Sequence, residues 1–462
     1  LAVRLLAPLL ACMIALSTML LPAAGAQAAG MSFVRDSEIE AIIRGYMDPL
    51  LRAAGLSPTS VTLYLVNDKT LNAFVAGGQN VFIHTGLLMR AETPGEVIGV
   101  LAHEIGHIAG GHLARGMDEM ENAAATSMIA TLLGLAAVLA TGQGQLGAAI
   151  ATGGQSAAIA NYLSFSRAQE SSADQAALRY LDQTGQSAEG LMRFMELLAD
   201  QEILLTEQQD PYMRTHPITS QRVDSIRRHV EEAGVPNRDP PELELAHARL
   251  RAKLVGFIEP LGTTLRTYPT RDTSEPARYA RSVGYFRSGR LPEALGEIDT
   301  LLAAKPDDPY FHELKGQMLF EFGQVNPALA SYRQALDRLP DDPLLARETA
   351  RLLLAREDAA SAEEAVSLLE GALRRDGEDA GIWRQLGIAH GRLGRIGLAS
   401  LALAEATVRV GDPKEAVFHA ERAQRELQPG TPARLRADDI AALAAERLRE
   451  KTRRERARDM GR

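Results

Sequence analysis

A chain of 462 residues is long enough for two or more domains, and 46% hydrophobic with 24% charged residues is the composition of an ordinary soluble globular protein. A net charge of −9 gives no reason to expect nucleic-acid binding, and the single cysteine, Cys12, excludes a disulfide framework. Stability must then come from core packing, a metal or the stacking of repeats.

The chain opens with Arg4, the apolar run Leu5 to Leu21, and small residues at Ala24-Gly25-Ala26 and Ala26-Gln27-Ala28. That pattern predicts a secretory signal peptide over residues 1–28, cleaved after Ala28. An uncleaved anchor and lipid attachment at Cys12 are the alternatives; the apolar run continues past Cys12, which suits attachment poorly. Ser37 to Leu51 reads as a helix, with Ile39, Ile42, Ile43 and Tyr46 at helical spacing. Val61 to Val66 reads as a strand. Ala73 to Val75 and Val81 to Ile83 read as a strand pair turning at Gly77-Gly78. These strands predict a small antiparallel sheet, which either offers an edge to extended substrate or merely supports the next helix.

That next stretch, Val97 to Leu113, reads VIGVLAHEIGHIAGGHL and contains His103-Glu104-Ile105-Gly106-His107, the H-E-x-x-H pattern. On a helix the two histidines lie about 40° apart, so both imidazoles can reach one ion. Glu104, one step round, can take a proton from water activated by that ion. An amphipathic core helix with incidental histidines is the plain alternative. His112, about half a turn round from His103, is expected to face away from the ion as a surface or second-layer residue and not as a ligand.

Asn122 to Ser166 carries no Asp, Glu, Lys or Arg, and Met128 to Ala140 within it is apolar all round but for Thr131. A run of 13 residues falls short of the roughly 20 needed to cross a bilayer, which leaves a buried helix or a re-entrant or interfacial segment. Ser166 to Asp174 then opens a helix on which Glu170 and Asp174 share a face. A catalytic zinc wants three protein ligands and one open position. Glu170, the first carboxylate after Glu121, is assigned as the third ligand. Asp174 would accept an imidazole N–H and fix a ligand histidine. The plain reading of the pair is a solvated acidic face. Further on, His216-Pro217 precedes a helix from about Ser220 that carries Arg222. Either this is a simple turn, or His216 lies near the ion and Arg222 beside the developing oxyanion.

Taken together, HEIGH, the SRAQESSAD segment and His216-Pro217 with Arg222 resemble the zinc metallopeptidases related to HtpX and the CAAX prenyl proteases, over roughly residues 35–230. The resemblance implies a zincin-type, gluzincin metalloprotease domain. It implies one Zn2+ on His103, His107 and Glu170, Glu104 activating water and Asp174 as a catalytic acidic position. His216 and Arg222 match a pair near the active site. In exported members with a repeat domain, the histidine matching His216 can fill the open zinc position and keep the protease latent.

After a proline-rich break, residues 242–258 read as a helix. Then Lys305-Pro306-Asp307-Asp308-Pro309 recurs as Leu339-Pro340-Asp341-Asp342-Pro343, 34 residues on, and Trp383 to Gly387 reads W-x-x-L-G. This is the tetratricopeptide period, in which small residues let paired helices stack into a solenoid. Residues 446–462 carry 8 Lys/Arg against 4 Asp/Glu, which suggests a charged terminal helix that frays. Peripheral contact with acidic lipid is the alternative there.

The expected fold is mainly α (α+β). A signal peptide covers 1–28, a metallopeptidase domain 29–235, a connecting helix and linker 236–276, tetratricopeptide repeats 277–430, and a charged helix 431–462. The resemblance, joined to the repeats, implies a periplasmic zinc endopeptidase with a chaperone-like role in outer-membrane β-barrel assembly. Its partners would be the barrel proteins and their assembly machinery, met through the repeats, with no nucleic acid. A non-enzymatic tetratricopeptide adaptor with a permanently closed zinc site is the second expectation. A membrane-inserted protease is the third.

Overall fold

The computed structural model describes residues 32–113, 115, 166–199, 212, 213, 216–235 and 239–460. The signal segment and the apolar run 128–140 lie outside the described residues. Among the described residues, no helix is long and apolar enough to cross a membrane.

Asp36 starts the first helix, Ser37–Ala53, by accepting the Ile39 N–H at 2.9 Å; such caps satisfy donors that a helix start leaves unpaired. Its buried side includes Ile39, Ile43, Tyr46, Met47 and Leu50. Beside it lies a four-stranded sheet in the order β1-β2-β4-β3, made of Phe33–Val34, Thr62–Val66, Asn80–His84 and Ala73–Ala76. The sheet is mixed rather than antiparallel. β3 and β4 form the expected hairpin, and Gly77 and Gly78 have φ of 58° and 97°, as a tight turn between twisted strands requires. β4 then pairs in parallel with β2, Tyr64 opposite Phe82. Periodicity sets which face a strand buries, but not the direction of its neighbour.

One face of the sheet, with Leu65, Ala73, Val81 and Ile83, joins a core shared with the helix Pro94–Ala109 through Val97, Ile98, Leu101 and Ile105. On the other face, half-buried Tyr64, Phe82 and Phe74 stack at 4.9 Å between successive centroids. The helix Pro241–Ile258, expected as a connector, lends Leu250 and Leu254 to the same core.

From Glu275 the chain is a run of paired antiparallel helices. These are Glu275–Arg287 with Leu291–Ala304, Pro309–Glu321 with Val325–Arg338, Pro343–Leu354 with Ala359–Leu373, and Ala380–Arg392 with Ile396–Arg409. Pro413–Glu426 and the long Pro432–Met460 close the stack, and the latter buries Ala437, Ile440 and Ala444. The charged helix expected over 431–462 is thus, before residue 446, packed on the last repeat.

The repeated Pro-Asp-Asp-Pro step has a physical reason. Its first aspartate reaches an arginine one repeat on: Asp307 meets Arg338, and Asp341 meets Arg375 at 2.7 Å. Its second caps the next helix: Asp342 accepts from Leu344 and Leu345 N–H, both at 2.9 Å. The same cap residues also hold the peptidase unit. Asp308 takes Arg249 at 2.5 Å, Asp342 takes the Ser37 hydroxyl, and Asp379, a cap in the next repeat, takes Arg35 at 3.0 Å. The start of the first helix is thus fastened to the solenoid. Buried Glu38 completes the seam against Arg249 at 2.7 Å and the Tyr279 hydroxyl at 2.6 Å.

Candidate metal centre

His103 and His107 project from the helix Pro94–Ala109, Glu170 from a helix over residues 166–184, and His216 from the step before the helix Ser220–Ala233. The two long helices come close because residue 106 is glycine. A Cβ there would lie 2.8 Å from the Ala173 carbonyl oxygen and 3.1 Å from the Ala173 Cα. Ala173 sits between Glu170 and Asp174 in sequence, so this contact brings the acidic face over the histidines.

Four buried side chains, His103, His107, Glu170 and His216, each offer one donor atom, and all four atoms lie within 4.8 Å of one another. His103 Nε2 is 3.0 Å from His107 Nε2, 3.4 Å from His216 Nδ1 and 3.3 Å from Glu170 Oε2. Glu170 Oε1 is 3.4 Å from His107 Nε2 and 3.1 Å from His216 Nδ1. A tetrahedral zinc with bonds of about 2.0–2.1 Å sets its donors roughly 3.3 Å apart, the range of these separations. Three imidazoles and one carboxylate are the donor set of zinc rather than of magnesium or calcium.

The charges around the site fit a cation as well. Burial disfavours a charged His103, yet the Asp174 and Glu170 carboxylates hold its pKa up at about 9. Burial likewise favours a protonated Glu170, but the facing His216 and His103 keep it well below the ordinary carboxylate range. For His107, burial and the neighbouring His103 push protonation far down, leaving a neutral donor. Among the described residues, neither oxygen of fully buried Glu104 has a hydrogen-bond partner, and His216 Nε2 lies 3.5 Å from its Oε1. A buried carboxylate without partners is costly, and its free lone pairs can serve a water.

Asp174 Oδ1 lies 2.9 Å from His103 Nδ1, on the side of the ring away from the other donors. Arg222 holds Asp174 through two bonds, Nε to Oδ2 at 2.6 Å and Nη2 to Oδ1 at 2.8 Å. Its Nη1 lies 2.9 Å from Glu170 Oε2 and donates to the Pro217 carbonyl at 2.7 Å. Arg222 is buried and engaged with the two carboxylates and the His216-Pro217 turn. Burial raises the Asp174 pKa, but the hydrogen bonds from Arg222 and His103 outweigh it and hold the group ionised.

Of the two places expected for His112, the surface or a second layer behind the ligands, it takes the second. The helix ends at Ala109, Gly110 caps it, and Gly111 at φ 62° turns the chain back. The His112 imidazole therefore packs on the centre, buried, with Nδ1 3.1 Å from His107 Nδ1. A turn rather than a continued helix brings it there, and the Gly-Gly pair is the signal for that turn. Tyr212, which sequence reasoning passed over, lays its ring 4.6 Å from that of His216. The edge strand β3 runs beside the histidine helix.

Residues 33–230 match the model described as peptidase family M48. The chain is 24% identical over 393 residues to the beta-barrel assembly-enhancing protease of Escherichia coli (strain K12), covering 84% of this chain and 79% of that one. With the Yersinia pestis protein of the same name it shares 26% over 291 residues, 62% of this chain and 59% of the relative. With the metalloprotease LoiP of Escherichia coli (strain K12) it shares 30% over 178 residues, 38% and 65% of the two chains.

Proposed function

We propose, from the premise that residues 33–230 belong to the M48 zinc metallopeptidases, that this chain is an exported endopeptidase of the periplasm. It hydrolyses peptide bonds in stalled or misfolded outer-membrane β-barrel proteins and has a chaperone-like part in their assembly. The repeats dock the client or the assembly machinery. Similarity to proteins named for enhancing β-barrel assembly, across 84% of this chain, supports the reading. So does the attachment of a solenoid to the peptidase unit through the repeat caps.

His103, His107 and Glu170 would hold zinc, which when bound would supply Lewis acidity toward the scissile carbonyl and the attacking water. Glu104 is the base. Burial raises its pKa, which brings it nearer to neutrality and makes it a better proton acceptor than an exposed carboxylate. It takes a proton from water and gives it to the departing amine. Asp174 orients His103, and Arg222 keeps Asp174 charged and in place. The β3 edge, unpaired by any strand among the described residues, suits an extended client strand by backbone pairing.

The single observation that carries this reading is the tetrahedron of donors with the unpartnered Glu104 beside it. With zinc bound, His216 would take the fourth position, which a working hydrolase keeps open. The resting enzyme is therefore latent, and withdrawal of His216 with its turn exposes the site. Glu104→Gln is expected to retain zinc and lose cleavage of β-barrel clients; undiminished proteolysis would rule out the mechanism.

The filled corner also favours one other reading, a non-enzymatic adaptor with a permanently closed site. In that case Glu104→Gln complements a deletion fully, and His216→Ala gains no proteolysis.

A further inference from the structure

We infer that His112 is a positioning residue for the metal ligand His107, fixing which of its ring nitrogens faces the ion. The inference rests on the metallopeptidase reading of the same centre. The His107 donor to the tetrahedron is Nε2, 3.0 Å from His103 Nε2. A neutral imidazole that gives the Nε2 lone pair to a metal carries its proton on Nδ1. That N–H needs an acceptor in a site this buried. The nearest polar atom recorded for it is His112 Nδ1, at 3.1 Å, with the two rings edge to face at 4.9 Å between centroids. His107 Nδ1–H therefore donates to His112 Nδ1. At the other ligand histidine, the Asp174 carboxylate lies 2.9 Å from His103 Nδ1.

The placement of His112 is built, not incidental. The ring folds back over Gly110 so closely that a Cβ there would lie 2.4 Å from its Nε2. Gly110 has ordinary helical angles, φ −72° and ψ −13°, so only the His112 ring demands a glycine. The next residue, Gly111, makes the left-handed turn that sends the chain back. Finally, Gln169, the neighbour of Glu170, donates its side-chain amide to the His112 carbonyl at 3.0 Å. The loop carrying His112 is thus tied to the helix that carries the carboxylate ligand.

Two substitutions separate positioning from packing. In His112→Asn the Oδ1 can stand where Nδ1 stands and still accept; in His112→Phe the shape persists without an acceptor. Zinc affinity of the full chain is read by competition with a chromophoric chelator, alongside melting of the metal-free protein. Loss of a group that orients a metal-bound histidine weakens binding about 10–100-fold. His112→Phe is expected to show that loss with the metal-free melting temperature unchanged, and His112→Asn to recover most of it. Gly110→Ala, which displaces the ring, should weaken zinc in wild type and leave affinity unaffected in His112→Ala. Equal zinc affinity of wild type and His112→Phe overturns the inference. So does a loss that His112→Asn shares in full. If wild type itself fails to bind zinc, the metallopeptidase reading falls and this inference with it.

Discussion

Gly106→Ala tests whether the approach of two helices, rather than the presence of the right residues, makes the centre. An added Cβ would sit 2.8 Å from the Ala173 oxygen, 3.1 Å from its Cα and 3.3 Å from the Ala176 Cβ. Ordinary carbon contacts are about 3.5 Å, so the helices must part by roughly half an ångström. Glu170 travels with Ala173, and ligand distances tolerate only about 0.2 Å. Two effects on stability compete. Alanine favours a helix over glycine by about 1 kcal/mol, while overpacking costs about 1–3 kcal/mol. The metal-free protein is therefore expected to be unchanged or slightly less stable. Zinc affinity should fall about 10–100-fold. At saturating zinc a hundredfold loss removes about 2.7 kcal/mol of ligand-linked stability, which melting with and without metal would register. Gly296→Ala is the control: it is an exposed helical glycine whose Cβ would meet nothing within 4 Å. There only the propensity gain applies. If Gly106→Ala binds zinc within about threefold of wild type and melts higher, like the control, the close approach does not set the ligand geometry.

Asp174→Asn keeps the shape but drops the anion shared by His103 and Arg222; chelator competition should show zinc bound about 10–100-fold more weakly, and unchanged affinity would refute the orienting role. Asp379→Ala removes a cap that accepts from Gly381 and Ile382 N–H and also holds Arg35 and Arg347, so denaturant unfolding should show a loss of about 2–3 kcal/mol. Asp341→Ala, which ends only an exposed pair with Arg375, should be close to neutral by the same measurement. His247 is buried and donates to the Ala91 carbonyl at 2.9 Å, and burial lowers its pKa to about 4. Since the unfolded imidazole titrates near 6.5, the unfolded chain binds the proton first. Stability is then full above pH 6.5 and falls as pH drops toward 4, by on the order of 3 kcal/mol. His247→Gln, able to keep the donor without the titration, should flatten the stability profile across that window; an unchanged slope would exclude His247 as its source.

What could be read from the sequence was whatever depends on near neighbours along the chain. His103, Glu104 and His107 are set by the helical repeat itself. The hairpin follows from Gly77-Gly78 between two β-branched runs. The solenoid follows from a 34-residue period, because each repeat meets chiefly its own neighbours. Whatever depends on distant segments meeting was decided by packing. His216 reaches His103 across 113 residues of chain and Arg35 reaches Asp379 across 344, separations no local pattern encodes. The parallel pairing of β2 with β4 is of the same kind, since alternation fixes a buried face and is silent on strand direction. His112 lies between the two cases: the sequence held the Gly-Gly stop, but only the folded chain shows the turn carrying that ring back onto His107. Local periodicity is written in backbone geometry, whereas convergence depends on the volumes of residues that meet, such as Gly106 against Ala173, and those meetings exist only in the folded state.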